Sequence, residues 1–238
     1  MAAQPSPSIS SIGNTHRQPV THPEGRPAVE VVPSEPVSIP LRLFEICASS
    51  IALIAAAPMM LLIAILIRLE SKGPVIFVSH RVGAGGKPFP FYKFRTMYAD
   101  ARQRFPELYA YKFDESEQQT MKFKIDDDPR ITRLGKRLRA TSLDELPNFW
   151  CVLKGDMALV GPRPEIPQML PYYQGKMLQK FSVRPGITGM AQVSGRGDLL
   201  FLETVAFDLE YVRRRSFWLD LRLLARTVSA VLTARGAV

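Results

Sequence analysis

Residues 46–67 read ICASSIALIAAAPMMLLIAILI, a run of 22 residues without a charge between Glu45 and Arg68. A helix rises about 1.5 Å per residue, so this run is long enough to cross a hydrocarbon core of about 30 Å. Pro58 interrupts it, because proline has no amide to donate to the preceding turn and disfavours helical geometry at Ala57. The two halves would be about 18 Å and 14 Å long, so neither spans such a core alone.

Three interpretations of this run stay open from the residues alone. The first is a kinked helix that spans the membrane, since prolines are tolerated in membrane helices. The second is a re-entrant helix that bends at Ala57 and Pro58 and returns to its own side. The third is a buried core helix. Basic residues lie on both sides, at Arg42 before the run and at Arg68 and Lys72 after it. The positive-inside rule therefore does not favour a crossing.

The composition divides the chain into three parts. Residues 1–40 contain eight of the 20 prolines and few large apolar residues, so they cannot offset the entropy of ordering, and we predict a disordered tail. They lack the charged start and immediate apolar run of a secretory signal. The apolar run with its flanks is the second part, residues 41–73, and a compact domain is the third, residues 74–238.

The overall composition limits the class of protein. The 238 residues carry a formal net charge of +9, and 46% of them are hydrophobic, which excludes collagen-like and wholly disordered chains. Two cysteines exclude a disulfide-stapled scaffold, and a mean hydropathy near zero excludes a polytopic membrane protein. The basic excess indicates an anionic partner, which is nucleic acid, an anionic membrane surface or a phosphorylated substrate.

Within residues 74–238 the pattern predicts an α+β fold that is predominantly helical. Short apolar runs predict strands at 75–78, 89–94, 157–160 and 190–193. Helical spacing covers 99–112, 131–139, 143–153, 164–181 and 199–212.

The C-terminal stretch has the pattern of a basic amphipathic helix. Apolar residues recur at helical spacing, at Phe217, Leu221, Leu224, Val228 and Val231. Six arginines between 213 and 235 oppose a single acid, Asp220. Two interpretations stay open, a helix in a membrane interface and a surface helix packed on the core.

An acidic pair, Asp144 and Glu145, lies within TSLDELPN at residues 141–148. Its ordinary interpretation is a capping box, in which Ser142 caps a helix and Glu145 reaches back to its amide. However, Pro147 falls where that helix needs a donor, which favours a short or distorted turn. Such a turn can direct two neighbouring carboxylates towards one metal ion or phosphate.

Basic side chains that suit phosphate surround this pair in the sequence. The stretch RITRLGKRLR at 130–139 includes Arg130 and Arg139. Arg163 and Arg184 each lie beside proline, which can pre-organise a guanidinium for bidentate phosphate contact, and Arg196 lies on a glycine-rich turn. The scattered cysteines and histidines form no zinc or Cys–His motif. The set suits a site for a diphosphate and a divalent cation.

These motifs closely resemble the bacterial sugar transferase family, the monotopic phosphoglycosyl transferases. The matching stretches, in order, are KFRTM at 93–97, DPRIT at 128–132, SLDELP at 142–147, LKGDM at 153–157, VGPRPE at 160–165 and RPGITG at 184–189, continuing to Arg196. The resemblance covers residues 41 to the C-terminus.

The resemblance implies a re-entrant membrane helix, broken at Ala57 and Pro58, plus a compact cytoplasmic catalytic domain with interfacial amphipathic helices. It implies transfer of a sugar-1-phosphate from a UDP-sugar to undecaprenyl (polyprenyl) phosphate at the cytoplasmic face of the bacterial inner membrane. This reaction releases UMP and begins the synthesis of an exopolysaccharide, capsule, O-antigen or glycoconjugate. Membrane lipids and downstream glycosyltransferases are the further partners expected.

The resemblance also implies roles for individual residues. Asp144 is the nucleophile and forms a covalent aspartyl phosphosugar, while Glu145 holds a Mg²⁺ ion. Substrate phosphates are expected to contact the basic residues of the motifs, which are Lys93, Arg95, Arg130, Arg139, Arg163, Arg184 and Arg196.

Two other functions account for part of the sequence, and the reaction has a second possible mechanism. A membrane-tethered nucleic-acid-binding module accounts for the charge of +9 but not for the acidic pair, so we expect no nucleic-acid partner. An inactive assembly scaffold conflicts with the intact acidic and arginine motifs. A transfer mechanism without a covalent intermediate stays open within the enzyme class.

Overall fold

The computed structural model describes residues 33–109, 125, 127–195 and 198–232, with side chains up to residue 230. Most of the predicted tail therefore lies outside the described residues. Residues 33–38 have no regular structure, and the first helix begins directly after them.

Helix α1 (Ile39–Glu70) is a single helix of 32 residues with Pro58 inside it. Among the described residues it is the one helix that is long and apolar enough to cross a membrane. Its buried residues lie near its two ends and are Glu45, Ser49, Ile63 and Ile67. No side chain between 50 and 62 is buried, and Ala57 and Pro58 are exposed. The helix thus packs on the domain near both ends and not along its middle.

A β-hairpin follows α1. Strands β1 (Ile76–Val82) and β2 (Pro88–Phe94) pair antiparallel, with Ile76 opposite Phe94. The turn between them contains Gly85 and Gly86 at φ 64° and 70°, a conformation that glycine adopts without steric cost. Both predicted strands are confirmed, although β1 extends four residues beyond the predicted end.

Helix α3 (Arg133–Thr141) is preceded by the short helix α2 (Ala101–Arg104) and a 3₁₀ helix (Pro106–Tyr109). The prediction of one helix from residue 99 is wrong, because Pro106 restricts the residue before it and ends α2; residues 110–112 lie outside the described residues. Helix α3 agrees with its prediction. Its N-cap is Thr132, whose hydroxyl accepts a hydrogen bond from the Gly135 amide at 2.9 Å.

A 3₁₀ helix (Leu143–Asn148) and then helix α4 (Phe149–Lys154) replace the single helix predicted at 143–153. Pro147 explains the change, since its missing amide cannot continue an α-helical ladder from residue 143. The short or distorted turn that the proline indicated is therefore confirmed.

Strands β3 (Ala158–Val160) and β4 (Gly186–Thr188) form a parallel pair. The strand predicted at 157–160 is confirmed, but the one at 190–193 is helix α5 (Met190–Ser194), because a short apolar run does not distinguish strand from helix. The helix predicted at 164–181 is also wrong. Two 3₁₀ helices (Pro167–Tyr172 and Gly175–Ser182) occupy this region, where repeated prolines break an α-helix.

Helices α6 (Phe201–Arg214) and α7 (Phe217–Leu232) complete the described fold, and α6 agrees with its prediction. On α7, Leu223 is buried, whereas four apolar residues are exposed: Phe217, Trp218, Leu221 and Val228. The fold is thus α+β and mostly helical, as predicted.

Two apolar clusters hold the domain together. The larger joins β2, α4, β3, α6 and α7, and Cys151 and Val152 at its centre are fully buried. The smaller consists of Ile63 and Ile67 from α1, Phe94 from β2 and Leu138 from α3. Since α1 contributes half of the smaller cluster, the apolar helix is part of the core of the domain.

Candidate active site

The acidic pair lies at the start of the 3₁₀ helix 143–148, immediately after a left-handed residue. Ser142 has φ 58° and ψ 15° and ends α3 by donating its amide to the carbonyls of Leu138 and Arg139. Its side chain makes no capping hydrogen bond, so the capping-box interpretation is wrong. The abrupt change of direction at Ser142 leaves Asp144 buried and Glu145 half-buried.

Two cations from distant parts of the chain hold the Glu145 carboxylate. Lys93, near the end of β2, donates its Nζ to Glu145 Oε1 at 2.6 Å. Arg163, in the segment after β3, donates Nη2 to the same oxygen at 3.2 Å. Lys93 Nζ also lies 3.6 Å from Asp144 Oδ2. The structure therefore brings both predicted acids together with two of the predicted basic residues.

The two neighbouring carboxylates differ in their electrostatic environment. Burial tends to raise the pKa of Glu145, but the charges and hydrogen bonds of Lys93 and Arg163 outweigh it and lower the pKa to about 2. Burial raises the pKa of Asp144, against the attraction of Lys93 and with a further contribution from the Glu145 charge. Asp144 accepts no hydrogen bond from the described residues. The Asp144 carboxylate is thus poorly solvated, whereas Glu145 stays ionised.

Arg139 completes the group of cations around the pair. Its Nε donates to Thr96 Oγ1 at 2.9 Å, and its terminal nitrogens have no acceptor among the described residues. Burial lowers the pKa of Arg139, and the charges of Asp144 and Asp128 oppose this effect. Arg139 is therefore held beside Asp144 with donors that remain available to an anionic substrate. The orienting role of Thr96 was not predicted, although Thr96 lies within the KFRTM motif.

Three other predicted phosphate ligands donate to protein acceptors instead. Arg95 binds the Ser71 and Lys72 carbonyls after α1, both at 2.8 Å. Arg184 donates to Glu45 Oε2 at 2.7 Å.

Arg130 forms a buried pair with Asp128, with Nη2 2.7 Å from Oδ2. The structure does not bring Arg95, Arg130 and Arg184 into contact with the carboxylate pair. Arg196 lies outside the described residues, so its role stays a prediction.

The carboxylate oxygens of the pair fit a divalent cation that binds mainly to the phosphates of a substrate. No group of three or more His, Cys, Asp or Glu side chains forms a metal cage in the part of the chain that the structure describes. Both cations that hold Glu145 bind Oε1. The other oxygen, Oε2, accepts no hydrogen bond from the described residues. Mg²⁺ in phosphate-transfer sites takes one or two carboxylates and completes its shell with substrate phosphates and water. Glu145 Oε2 fits that mode.

The sequence of this chain is similar to those of several known proteins. The model of the bacterial sugar transferase family matches residues 38–234. The exopolysaccharide production protein ExoY of Rhizobium meliloti is 37% identical over 196 residues, which are 82% of this chain and 87% of that protein. The UDP-glucose:undecaprenyl-phosphate glucose-1-phosphate transferase of Caulobacter vibrioides is 38% identical over 214 residues, 87% of this chain and 74% of that protein.

Some relatives are much longer than this chain. The undecaprenyl-phosphate galactose phosphotransferase of Salmonella typhimurium is 41% identical over 196 residues, but the match spans only 41% of its length. The family match covers nearly all of the chain beyond the predicted tail and includes every residue of the described site. The chain therefore belongs to the bacterial sugar transferase family.

Proposed function

We propose that this chain transfers a sugar-1-phosphate from a UDP-sugar to undecaprenyl phosphate and releases UMP. The names of the Salmonella and Caulobacter relatives describe such transfers, and ExoY is named for exopolysaccharide production. The observation that carries the proposal is the buried Asp144, which lies beside a Glu145 that Lys93 and Arg163 keep ionised. We assign the reaction to the first step of a polysaccharide or glycoconjugate pathway.

The reaction proceeds in two displacements at phosphorus. An Asp144 carboxylate oxygen attacks the phosphorus attached to the sugar, and the bond from that phosphorus to the bridging oxygen of the diphosphate breaks, so that UMP leaves with the electron pair. The resulting acyl phosphate retains its transfer potential. An oxygen of undecaprenyl phosphate then attacks the same phosphorus, and the Asp144 carboxylate leaves. Poor solvation of Asp144 makes its carboxylate a better nucleophile in the first step.

The surrounding cations stabilise the charge that moves during both displacements. Transfer between phosphoanhydrides depends mainly on positioning and electrostatic stabilisation. In this proposal Arg139 contacts the phosphate under attack, while Lys93 and Arg163 fix the Glu145 carboxylate. A Mg²⁺ ion held by Glu145 Oε2 would offset charge on the diphosphate.

We further propose that α1 is re-entrant and that the catalytic domain lies on the cytoplasmic face of the inner membrane. Near its start, Arg42 donates to the Val152 carbonyl of α4 at 2.6 Å. Near its end, Ile63 belongs to the cluster against which Leu146 packs. Arg42 and Ile63 would be about 32 Å apart on a straight helix, whereas Val152 and Leu146 are six residues apart in compact helical turns. A bend at Pro58 accounts for both contacts.

Helix α7 suits the same placement. Its exposed Phe217, Trp218, Leu221 and Val228 and the exposed arginines Arg222 and Arg226 have the composition of a helix that lies in a membrane interface. The lipid acceptor cannot leave the bilayer, so α1 and α7 would hold the carboxylates at the depth of its phosphate.

Replacement of the nucleophile tests the proposal. The full chain in detergent with undecaprenyl phosphate and Mg²⁺ is assayed for UMP release from UDP-glucose, UDP-galactose and UDP-N-acetylgalactosamine. We expect Asp144→Asn to lower the rate by at least about 10³-fold, because a neutral amide cannot form the acyl phosphate. The matched control is Asp100→Asn, which alters an exposed acid that pairs with Arg104 and should leave the rate unchanged.

Rapid quenching without the lipid acceptor tests the intermediate directly. We expect a phosphosugar adduct on the peptide that contains Asp144. Turnover by Asp144→Asn at the wild-type rate would remove the nucleophile assignment. Normal wild-type turnover without an adduct would favour direct transfer between the two substrates.

A further inference from the structure

A network of buried charges lies behind the segment that carries Arg163. Lys180 is 2% exposed and contacts three oxygen-bearing side chains. Its Nζ lies 2.9 Å from the Tyr173 hydroxyl, 3.1 Å from Asp208 Oδ2 and 3.4 Å from Glu165 Oε2. The Tyr173 hydroxyl donates to Glu165 Oε2 at 2.7 Å. The network thus joins α6, the 3₁₀ helix 175–182 and the segment after β3 at one buried point.

The backbone on both sides of Arg163 is also fixed. The Pro162 carbonyl accepts a hydrogen bond from the Gly186 amide of β4 at 2.9 Å. The Glu165 carbonyl accepts one from the Val82 amide of β1 at 2.8 Å. Pro162 and Pro164 restrict φ on either side of Arg163. Arg163 is therefore an exposed cation on a short, rigid backbone whose far end is the buried Glu165.

We propose that Glu165, held by Lys180 and Tyr173, is a positioning residue that fixes Arg163 on the Glu145 carboxylate. This inference rests on the proposed function, because its effect on turnover is transmitted through the site described above. Glu165 itself touches neither carboxylate of the pair. Arg163 precedes Glu165 by two residues, so a fixed Glu165 also fixes the position of the Arg163 backbone.

The composition of the network supports a role beyond stability. Burial of ions carries a desolvation cost that often exceeds their attraction, so replacement of a buried charged network by well-packed apolar residues is often neutral or stabilising. Asp208 is fully buried, and its charged partner among the described residues is Lys180, whose Nζ lies 3.1 Å from Oδ2. Burial of this charged network costs free energy, and the network ends at Glu165, two residues from Arg163. We therefore infer that it serves to fix the position of Arg163.

The variant Glu165→Gln preserves the volume of the side chain and leaves Lys180 paired with Asp208, so the fold should persist. A double-mutant cycle with Arg163→Ala separates positioning from general loosening. We expect Glu165→Gln to lower kcat/KM for UMP release about tenfold with Arg163 present, mainly through kcat, and less than about twofold with alanine at 163. Tyr173→Phe, which removes only the hydroxyl donor, should show the same coupling with a smaller effect.

Tyr211→Phe is the matched control, because Tyr211 is also a buried tyrosine that donates to a carboxylate, Asp220 Oδ1, at 2.8 Å. Its effect should be equal in both backgrounds. Equal fold losses for Glu165→Gln with and without Arg163 would overturn the proposal. If Glu165→Gln does not fold, the Tyr173→Phe cycle decides by the same criterion.

A measurement without turnover keeps this inference separate from the proposed function. Phenylglyoxal modifies accessible arginines, and peptide mass spectrometry gives the rate at Arg163 in the full-length protein. We expect Glu165→Gln to accelerate modification at Arg163 and Tyr211→Phe to leave it unchanged. Unchanged modification at Arg163 in Glu165→Gln would overturn the positioning role. Absence of UMP release from wild type with every UDP-sugar would overturn the proposed function alone.

Discussion

Lys93 is the cation on which the two carboxylates depend most directly. Its Nζ lies 2.6 Å from Glu145 Oε1 and 3.6 Å from Asp144 Oδ2. Replacement by methionine keeps an unbranched side chain of similar length and removes the charge. Two adjacent acids would then share Arg163 and Arg139 as their remaining partners.

The distance to Asp144 sets the size of the effect. At an effective dielectric constant of about 20, unit charges separated by 3.6 Å attract each other by about 5 kcal/mol. Lys93 retains 17% exposure, and solvent screening reduces this attraction to about 2 to 3 kcal/mol. Since about 1.4 kcal/mol is a factor of ten in the protonation equilibrium, the ionised fraction of Asp144 on the acid limb, and with it the rate there, falls about a hundredfold.

The pH dependence gives the sign of the effect. Burial already raises the pKa of Asp144, and Lys93 opposes that rise. Loss of Lys93 therefore raises the pKa of Asp144 further, so that a larger fraction is protonated and inactive at neutral pH. We expect the acid limb of the profile of kcat/KM for UMP release to move to higher pH in Lys93→Met, with partial recovery of the rate in alkaline buffer.

Two further variants make the measurement specific. Lys93→Arg preserves the charge and should keep the acid limb close to its wild-type position. Lys154→Met removes a surface lysine that pairs with Asp156 at 2.9 Å, and it should leave the profile unchanged. An acid limb at the wild-type pH in Lys93→Met would refute the electrostatic reasoning, whatever the change in rate.

Two other predictions follow from the membrane helix and from α7. In a Cys47→Ser background, single cysteines that replace Val37 and Lys72 should react with a membrane-impermeant maleimide added on the same side, because both ends of α1 pack on one domain. Labelling from opposite sides would show a spanning helix. Burial raises the pKa of Asp220 to about 6 from a usual 3.8, so the folded protein binds this proton more tightly than the unfolded chain. The free energy of unfolding should therefore fall as pH rises from 4 to 7, and Asp220→Asn should reduce this fall; an equal fall in both proteins, measured by urea denaturation, would contradict the assignment.

Local signals in the sequence were sufficient for part of the fold. The hairpin follows from two apolar runs around glycines, and α3 follows from its apolar spacing, although its cap at Thr132 was not predicted. Prolines at 164, 167 and 171 argue against one helix over 164–181, although the apolar residues there recur at helical spacing. The parallel pairing of β3 with β4 joins residues 28 positions apart, and no local pattern specifies such pairing.

The site was predictable in its residue types but not in its contacts. Asp144, Glu145, Lys93, Arg139 and Arg163 were all candidates, and the structure brings them together. The motifs could not separate these from Arg95, Arg130 and Arg184, since an arginine beside a proline or a carboxylate looks the same whether it binds substrate or protein. Only the partners in space distinguish the two uses, and they lie as far along the chain as Glu45, which is 139 residues from Arg184.

The sharing of Ile63 and Ile67 with Phe94 and Leu138 has a practical consequence for handling the protein. Removal of α1 would expose Phe94 and Leu138 to solvent, so we expect a fragment that begins after α1 to be poorly soluble. Purification therefore calls for an amphiphile that covers the middle of α1 while its ends remain seated on the domain.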